Sequence, residues 1–172
     1  SRSTSTSWKG GDWRVTSRTE SCAAANDTMR SGFLPDRIVH LHPTRLCNLA
    51  CRHCYSESSP QRAAALDPVL VGDALARLRG EGYAVVSLSG GEPLLYRSLR
   101  TVVERAKELG FRVTMVSNGL LAERADSVLS LLDGIAISFD GLAPSHNAIR
   151  GRTDAFERAC DALRRLAAAG RP

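Results

Sequence analysis

The chain has 172 residues, 43% hydrophobic and 24% charged, a balance that predicts one globular core of ordinary size. No run approaches the ~18 consecutive apolar residues of a membrane-spanning helix and no signal-peptide stretch opens the chain, so the expected address is the cytoplasm, with no membrane partner. The net charge of +5 is dispersed, nearly all of the basic residues being arginines set opposite apolar helix positions. That spread lacks a phosphate-tracking stripe and makes nucleic acid an unexpected partner.

Residues 1–28 are rich in Ser, Thr, Arg and Gly and show neither alternation nor helical period, and Met29 opens the patterned part. Residues 1–32 are therefore expected to be an unstructured or non-native leader, with Met29 the natural start, and residues 33–172 to form one domain. From residue 37 the pattern alternates between short β-like runs and helical stretches, which predicts βα units and a parallel sheet.

The first predicted strand is Ile38 to His42, followed by a cysteine-bearing loop. Asp67 and Pro68 predict the N-cap and first turn of a helix over 68–81 that turns Val71, Ala74, Leu75 and Leu78 inward. Ala84 to Ser89 is a second strand, stopped by Gly90, Gly91 and Pro93. A second helix over 98–109 buries Leu99, Val102, Val103 and Ala106 and ends at Gly110. Phe111 to Ser117 is a third strand, 122–132 a shorter helix, and Ile135 to Phe139 a fourth strand. A last helix over 154–169 carries an apolar stripe of Phe156, Ala159, Cys160, Leu163, Leu166 and Ala167. Four βα units with nothing after them predict an α/β fold that is either a small open domain or a piece of a larger barrel, since a closed barrel of eight units takes ~250 residues.

Five cysteines without a secretory signal do not read as a disulfide framework. Cys47, Cys51 and Cys54 follow a Cys-x3-Cys-x2-Cys spacing in the segment LCNLACRHCY after the first strand. Thiolates so placed converge on one centre and select an iron–sulfur cluster or zinc. On the cysteines alone a structural zinc site, completed by His42, His53 or Cys22, stays open beside the cluster. Cys160 reads as a core thiol, and His40 and His42 as structural histidines of the first strand.

Four further motifs follow in order. Gly90-Gly91-Glu92-Pro93 ends the second strand, Ser117-Asn118-Gly119 the third, Ile137-Ser138-Phe139-Asp140-Gly141 the fourth, and His146 to Gly151 reads HNAIRG. Together with CNLACRHCY these resemble the radical S-adenosylmethionine superfamily over about residues 35–169. The resemblance implies the N-terminal four βα units of a partial (βα)6 TIM-like barrel, truncated before strand five. It implies a [4Fe-4S] cluster on Cys47, Cys51 and Cys54 whose unligated iron meets S-adenosylmethionine, cleaved to a 5′-deoxyadenosyl radical that abstracts hydrogen from a substrate. The wording of the motifs is most similar to members that modify peptides or proteins, with a one-electron donor such as flavodoxin or ferredoxin as partner.

The implied cofactor contacts are Tyr55 at the adenine; Gly90, Gly91 and Glu92 at the methionine amine; and Ser117, Asn118 and Ser138 offering polar groups to a ribose or carboxylate. Arg150 is implied as a fork for the methionine carboxylate, its plainer alternative being a pair with Asp154. The two glycines are expected to let the backbone approach a ligand, and His53 to pack rather than ligate. A rival from another class is a non-catalytic cluster- or metal-binding module that binds a partner.

Overall fold

The computed structural model describes residues 36–170, so the expected leader, Met29 and Cys22 lie outside the described residues. Four parallel strands, β1 (Arg37–Leu41), β2 (Tyr83–Leu88), β3 (Arg112–Ser117) and β4 (Gly134–Ile137), form one sheet in the order β1-β2-β3-β4. The register lines up Leu41, Leu88, Met115 and Ile135 across all four strands, and Val39, Val86 and Val113 across three. These rows face the helices and form the core with Phe111. The alternating residues face the other way, where Ile38 and Val116 are exposed.

Helix α1 (Pro68–Gly80) starts as the sequence predicts, with Asp67 Oδ1 accepting from the amides of Val69 at 2.8 Å and Leu70 at 3.3 Å. It buries Val71 and Leu75, but Gly72 rather than Ala74 completes the inward face. Replacing Asp67 by alanine is expected to cost about 1 kcal/mol, read as a lower urea midpoint with an unchanged slope. In α2 (Leu99–Glu108) the four expected residues, Leu99, Val102, Val103 and Ala106, are all buried.

Two elements differ from expectation. Residues 122–132 are not an α-helix but two short 3-10 turns, Ala122–Ser127 and Leu129–Leu131. Carbonyls that an α-helix would use are taken: the Ser127 hydroxyl donates to Arg124 O at 3.1 Å and Arg100 donates to Ser127 O at 2.7 Å. The bonds that remain are of the tighter kind, such as Leu131 N to Val128 O. In the last helix, α4 (Ala155–Ala168), the buried seam is Ala155, Ala159, Ala162 and Leu166, rotated from the expected stripe so that Leu163 is 51% exposed and Cys160 half-buried. A narrow alanine seam suits this site, because Gly119 lies so close that a Cβ there would stand 3.1 Å from Ala159 Cα. A further helix, α3 (Ala143–Arg150), lies where the sequence pattern predicts no element; it ends on Gly151 at φ +68°.

Candidate cofactor-binding site

Every strand ends at the same rim of the sheet, and the rim is where the motifs meet. The cysteine loop leaves β1 and is closed at its base by Arg45 N donating to Ala64 O at 2.8 Å and Leu66 N to Pro43 O at 2.8 Å. Beyond β2 the chain continues to pair with the segment before Cys47. Ser89 N donates to Leu41 O, Gly91 N to Thr44 O and Glu92 N to Leu46 O, at 2.9 to 3.0 Å. This explains the glycine pair differently from the sequence expectation. A Cβ on Gly91 would stand 2.3 Å from Leu46 O, and one on Gly90, which sits at φ +100°, would stand 2.8 Å from His42 Cβ. The close approach the glycines permit is to the protein's own backbone.

A cavity of about 420 Å³ opens at this rim. It is lined by Cys47, Cys51, Cys54 and Tyr55 from the loop, by Gly90, Gly91 and Glu92 after β2, by Ser117 and Asn118 at the end of β3, and by Ser138 and Arg150 after β4. All eleven residues expected at the site are thus brought to one wall-to-wall space of ligand size.

Glu92 is the floor. Only 1% exposed, it accepts from the Ser117 hydroxyl at 2.9 Å and Leu94 N at 3.3 Å on one oxygen, and from Asn118 N at 2.9 Å on the other. Burial pushes its carboxyl above the ordinary range, opposed by those donors and by the Arg150 charge. Glu92→Gln puts an amide N–H against donors and is expected to destabilise by about 2–3 kcal/mol in urea unfolding at neutral pH. Because the folded-state pKa is raised, the carboxyl's contribution is fully present below its unfolded value near 4.5 and is lost as pH rises through the folded one. The stability gap between wild type and the variant therefore narrows as pH climbs.

Ser117 and Asn118 direct their polar groups to protein partners. The Ser117 hydroxyl also accepts from Gly119 N at 3.1 Å. Asn118 Oδ1 accepts from Leu120 N at 2.9 Å, while its Nδ2 donates to Asn48 Oδ1 at 2.8 Å and reaches the Cys47 sulfur at 3.8 Å. Tyr55 is 76% exposed, with its hydroxyl 3.1 Å from His42 Nε2. Arg150 does not pair with Asp154, which belongs to Arg152; it donates to Asp140 Oδ2 at 2.5 Å. His53 meets the other Asp140 oxygen at 3.1 Å. Asp140, which in sequence is only one member of the Ile137–Gly141 motif, is thus a junction, and its Arg150 and His53 partners outweigh burial to hold its carboxyl below the usual range. Asn48 was visible only as part of a motif.

The thiols suit a soft metal centre. Each sulfur has a hydrogen-bond donor: Asn118 Nδ2 at Cys47, Arg150 at Cys51, and Ser58 N at 3.3 Å from Cys54. Burial raises the Cys47 and Cys51 thiols, whereas at Cys54 the hydrogen bonds of Ser56, Glu57 and Ser58 outweigh burial and lower it. Among the described residues no three His, Cys, Asp or Glu side chains form a ready-made metal cage. The donor set nonetheless fits an iron–sulfur cluster, with three thiols on one cavity wall and N–H groups behind them.

A parallel βα sheet with a three-thiol loop and three polar turns around one rim cavity defines an α/β protein with a candidate ligand site at its strand ends. The sequence model of the Radical SAM superfamily matches residues 41–172, and the chain belongs to that superfamily. It is 36% identical over 134 residues to the GTP 3′,8-cyclase of Chlorobaculum tepidum, covering 76% of this chain and 41% of that protein. It is 31% identical over 138 residues to the sporulation killing factor maturation protein SkfB of Bacillus subtilis, covering 77% and 33%. Crystal structures of Streptococcus suis SuiB, bound to S-adenosylmethionine or to the precursor peptide SuiA, share the fold with TM-scores of 0.64 and 0.66 at 19% identity, covering 79% of this chain and 31% of theirs. The chain therefore spans about a third to two fifths of the curated relatives named here. Among the described residues no helix is long and apolar enough to cross a membrane.

Proposed function

We propose that this chain is the cluster- and S-adenosylmethionine-binding part of a radical SAM enzyme acting on a peptide or protein, its four βα units being the first part of a larger barrel. The observation that carries the reading is the gathering of three thiols and the turns after β2, β3 and β4 around one cavity. A [4Fe-4S] cluster held by these thiols would supply the electron for reductive cleavage of S-adenosylmethionine, and with it hydrogen-atom abstraction from the substrate.

The chain's own residues bind, orient and shield. Cys47, Cys51 and Cys54 provide the thiolate ligands. The Gly90 to Glu92 turn receives the methionine amine, with Glu92 held in place by Ser117 and Asn118 rather than by solvent. Ser138 faces the ribose, Tyr55 the adenine, and Arg150 the carboxylate side of the cavity. A flavodoxin- or ferredoxin-like protein supplies the electron. Similarity to SkfB and the SuiB fold support a peptide substrate; the GTP 3′,8-cyclase likeness favours a nucleotide as the second reading.

Anaerobic reconstitution of the full-length protein with iron and sulfide, then dithionite and S-adenosylmethionine, is expected to yield 5′-deoxyadenosine. A colourless, zinc-loaded protein that forms none would overturn the reading. Deuterium carried from a labelled peptide, and not from labelled GTP, into 5′-deoxyadenosine distinguishes the two substrates.

A further inference from the structure

The cysteine loop is tied to the segment after β4 by three contacts that thiol ligation does not itself require. Arg52 N, next to Cys51, donates to Ile149 O at 3.1 Å in the last turn of α3. His53 Nε2 meets Asp140 Oδ1 at 3.1 Å. Arg150 donates Nε to Asp140 Oδ2 at 2.5 Å and extends a terminal N–H to 3.9 Å from the Cys51 sulfur.

Asp140 is fixed in turn, because its backbone N–H donates to His146 Nδ1 at 3.1 Å. His146 is 1% exposed and packs edge-on against Phe156 and tilted against Phe139. The Arg150 side chain is only 11% exposed. A planar, mostly buried guanidinium held at Nε by a carboxylate is limited in the directions its remaining N–H groups can take, and here one of them reaches the Cys51 sulfur.

We propose that Arg150, held by Asp140, is a positioning residue for the cysteine loop: it sets Cys51 before metal arrives and donates an N–H to the thiolate once it is ligated. This rests on the assignment of Cys47, Cys51 and Cys54 as cluster ligands. An N–H donor and a positive charge at a ligating sulfur favour the reduced cluster and raise its potential. The role differs from binding the cofactor carboxylate. A carboxylate-binding arginine sets S-adenosylmethionine affinity and leaves loading alone, whereas a brace sets loading without the cofactor and acts only through Asp140.

The test compares full-length wild type with Arg150→Met, Asp140→Asn, the double variant and Arg150→Lys. Amide exchange of residues 52–55 is read in the apoprotein; iron uptake and cluster midpoint potential are read after reconstitution without S-adenosylmethionine. Both single variants should speed exchange, lower iron affinity by about tenfold and move the potential to more negative values. The double variant should be no worse than Asp140→Asn, which already disturbs the Arg150 and the His53 contacts, the mark of one shared interaction. Arg150→Lys, which keeps the charge without the fork, should recover part of the potential but not the loop protection. Variants that exchange and load like wild type while Arg150→Met weakens only S-adenosylmethionine binding would sink the brace and leave the cluster reading standing. A wild-type protein that takes up no cluster would sink the function proposed above instead.

Discussion

Cys51→Ala is expected to abolish iron–sulfur loading while leaving the fold in place. Cys51 is half-buried in the loop and lies outside the apolar core, so removing its sulfur opens no core cavity. On the proposed assignment it removes one of three thiolate ligands, and two thiolates would not hold a cluster that needs three. The fall in iron affinity should exceed the 10–100-fold typical for losing a partner that merely orients a ligand. Iron and sulfide per chain after reconstitution, measured beside a urea unfolding curve, check both halves. Cys160→Ala is the internal control, since Cys160 sits on α4 and lines no part of the cavity. Loading in Cys51→Ala at the wild-type level would remove the thiols from the site.

Gly91→Ala is expected to damage the site although it removes no thiol. The added Cβ would lie 2.3 Å from Leu46 O and 3.0 Å from Arg45 C, both backbone atoms that no rotamer change can move aside. The loop base must shift, breaking the bonds from Gly91 N to Thr44 O and from Glu92 N to Leu46 O. Overpacking of this kind costs about 1–3 kcal/mol or more, which for a domain of this size lowers Tm by roughly 3 °C per kcal/mol. Because Cys47 follows Leu46 directly, loading should fall as well. Gly80→Ala makes the comparison, as a Cβ there meets nothing within 4 Å. An alanine at 91 that leaves both Tm and iron content unchanged would refute the backbone-docking role.

The parts of the fold that sequence reveals best are those whose residues act locally. Asp67 and Pro68 announce a helix start, and Leu99, Val102, Val103 and Ala106 share one helical face whatever surrounds them. Residues 122–132 mislead because their fate is decided at a distance: Arg100, from a different helix, takes the Ser127 carbonyl, and Arg165 reaches Asp126. Helix α3 hides because its sole buried side chain is His146, so no apolar period betrays it, although Pro144 near its start and Gly151 after its end were readable signals. At the site, residue identity was legible and partnership was not. Ser117 and Asn118 look like ligand-binding groups in sequence, yet their hydrogen bonds go to Glu92, Asn48 and neighbouring amides, which depends on how β2 and β3 lie side by side.

The pairing of Ser89 to Glu92 with residues 41–46 extends the β1–β2 ladder beyond the ends of both strands. The approach to Cys47 is thereby a margin of the sheet rather than a free loop, and the chain entropy of ordering that approach is lost when the sheet forms, not when metal arrives. Calorimetry of metal uptake by the folded apoprotein should accordingly show a small heat-capacity change, unlike a site that folds around its ion. Heating should release metal together with the melting of β1 and β2, so that the thermal limit of the sheet and that of the cofactor site coincide.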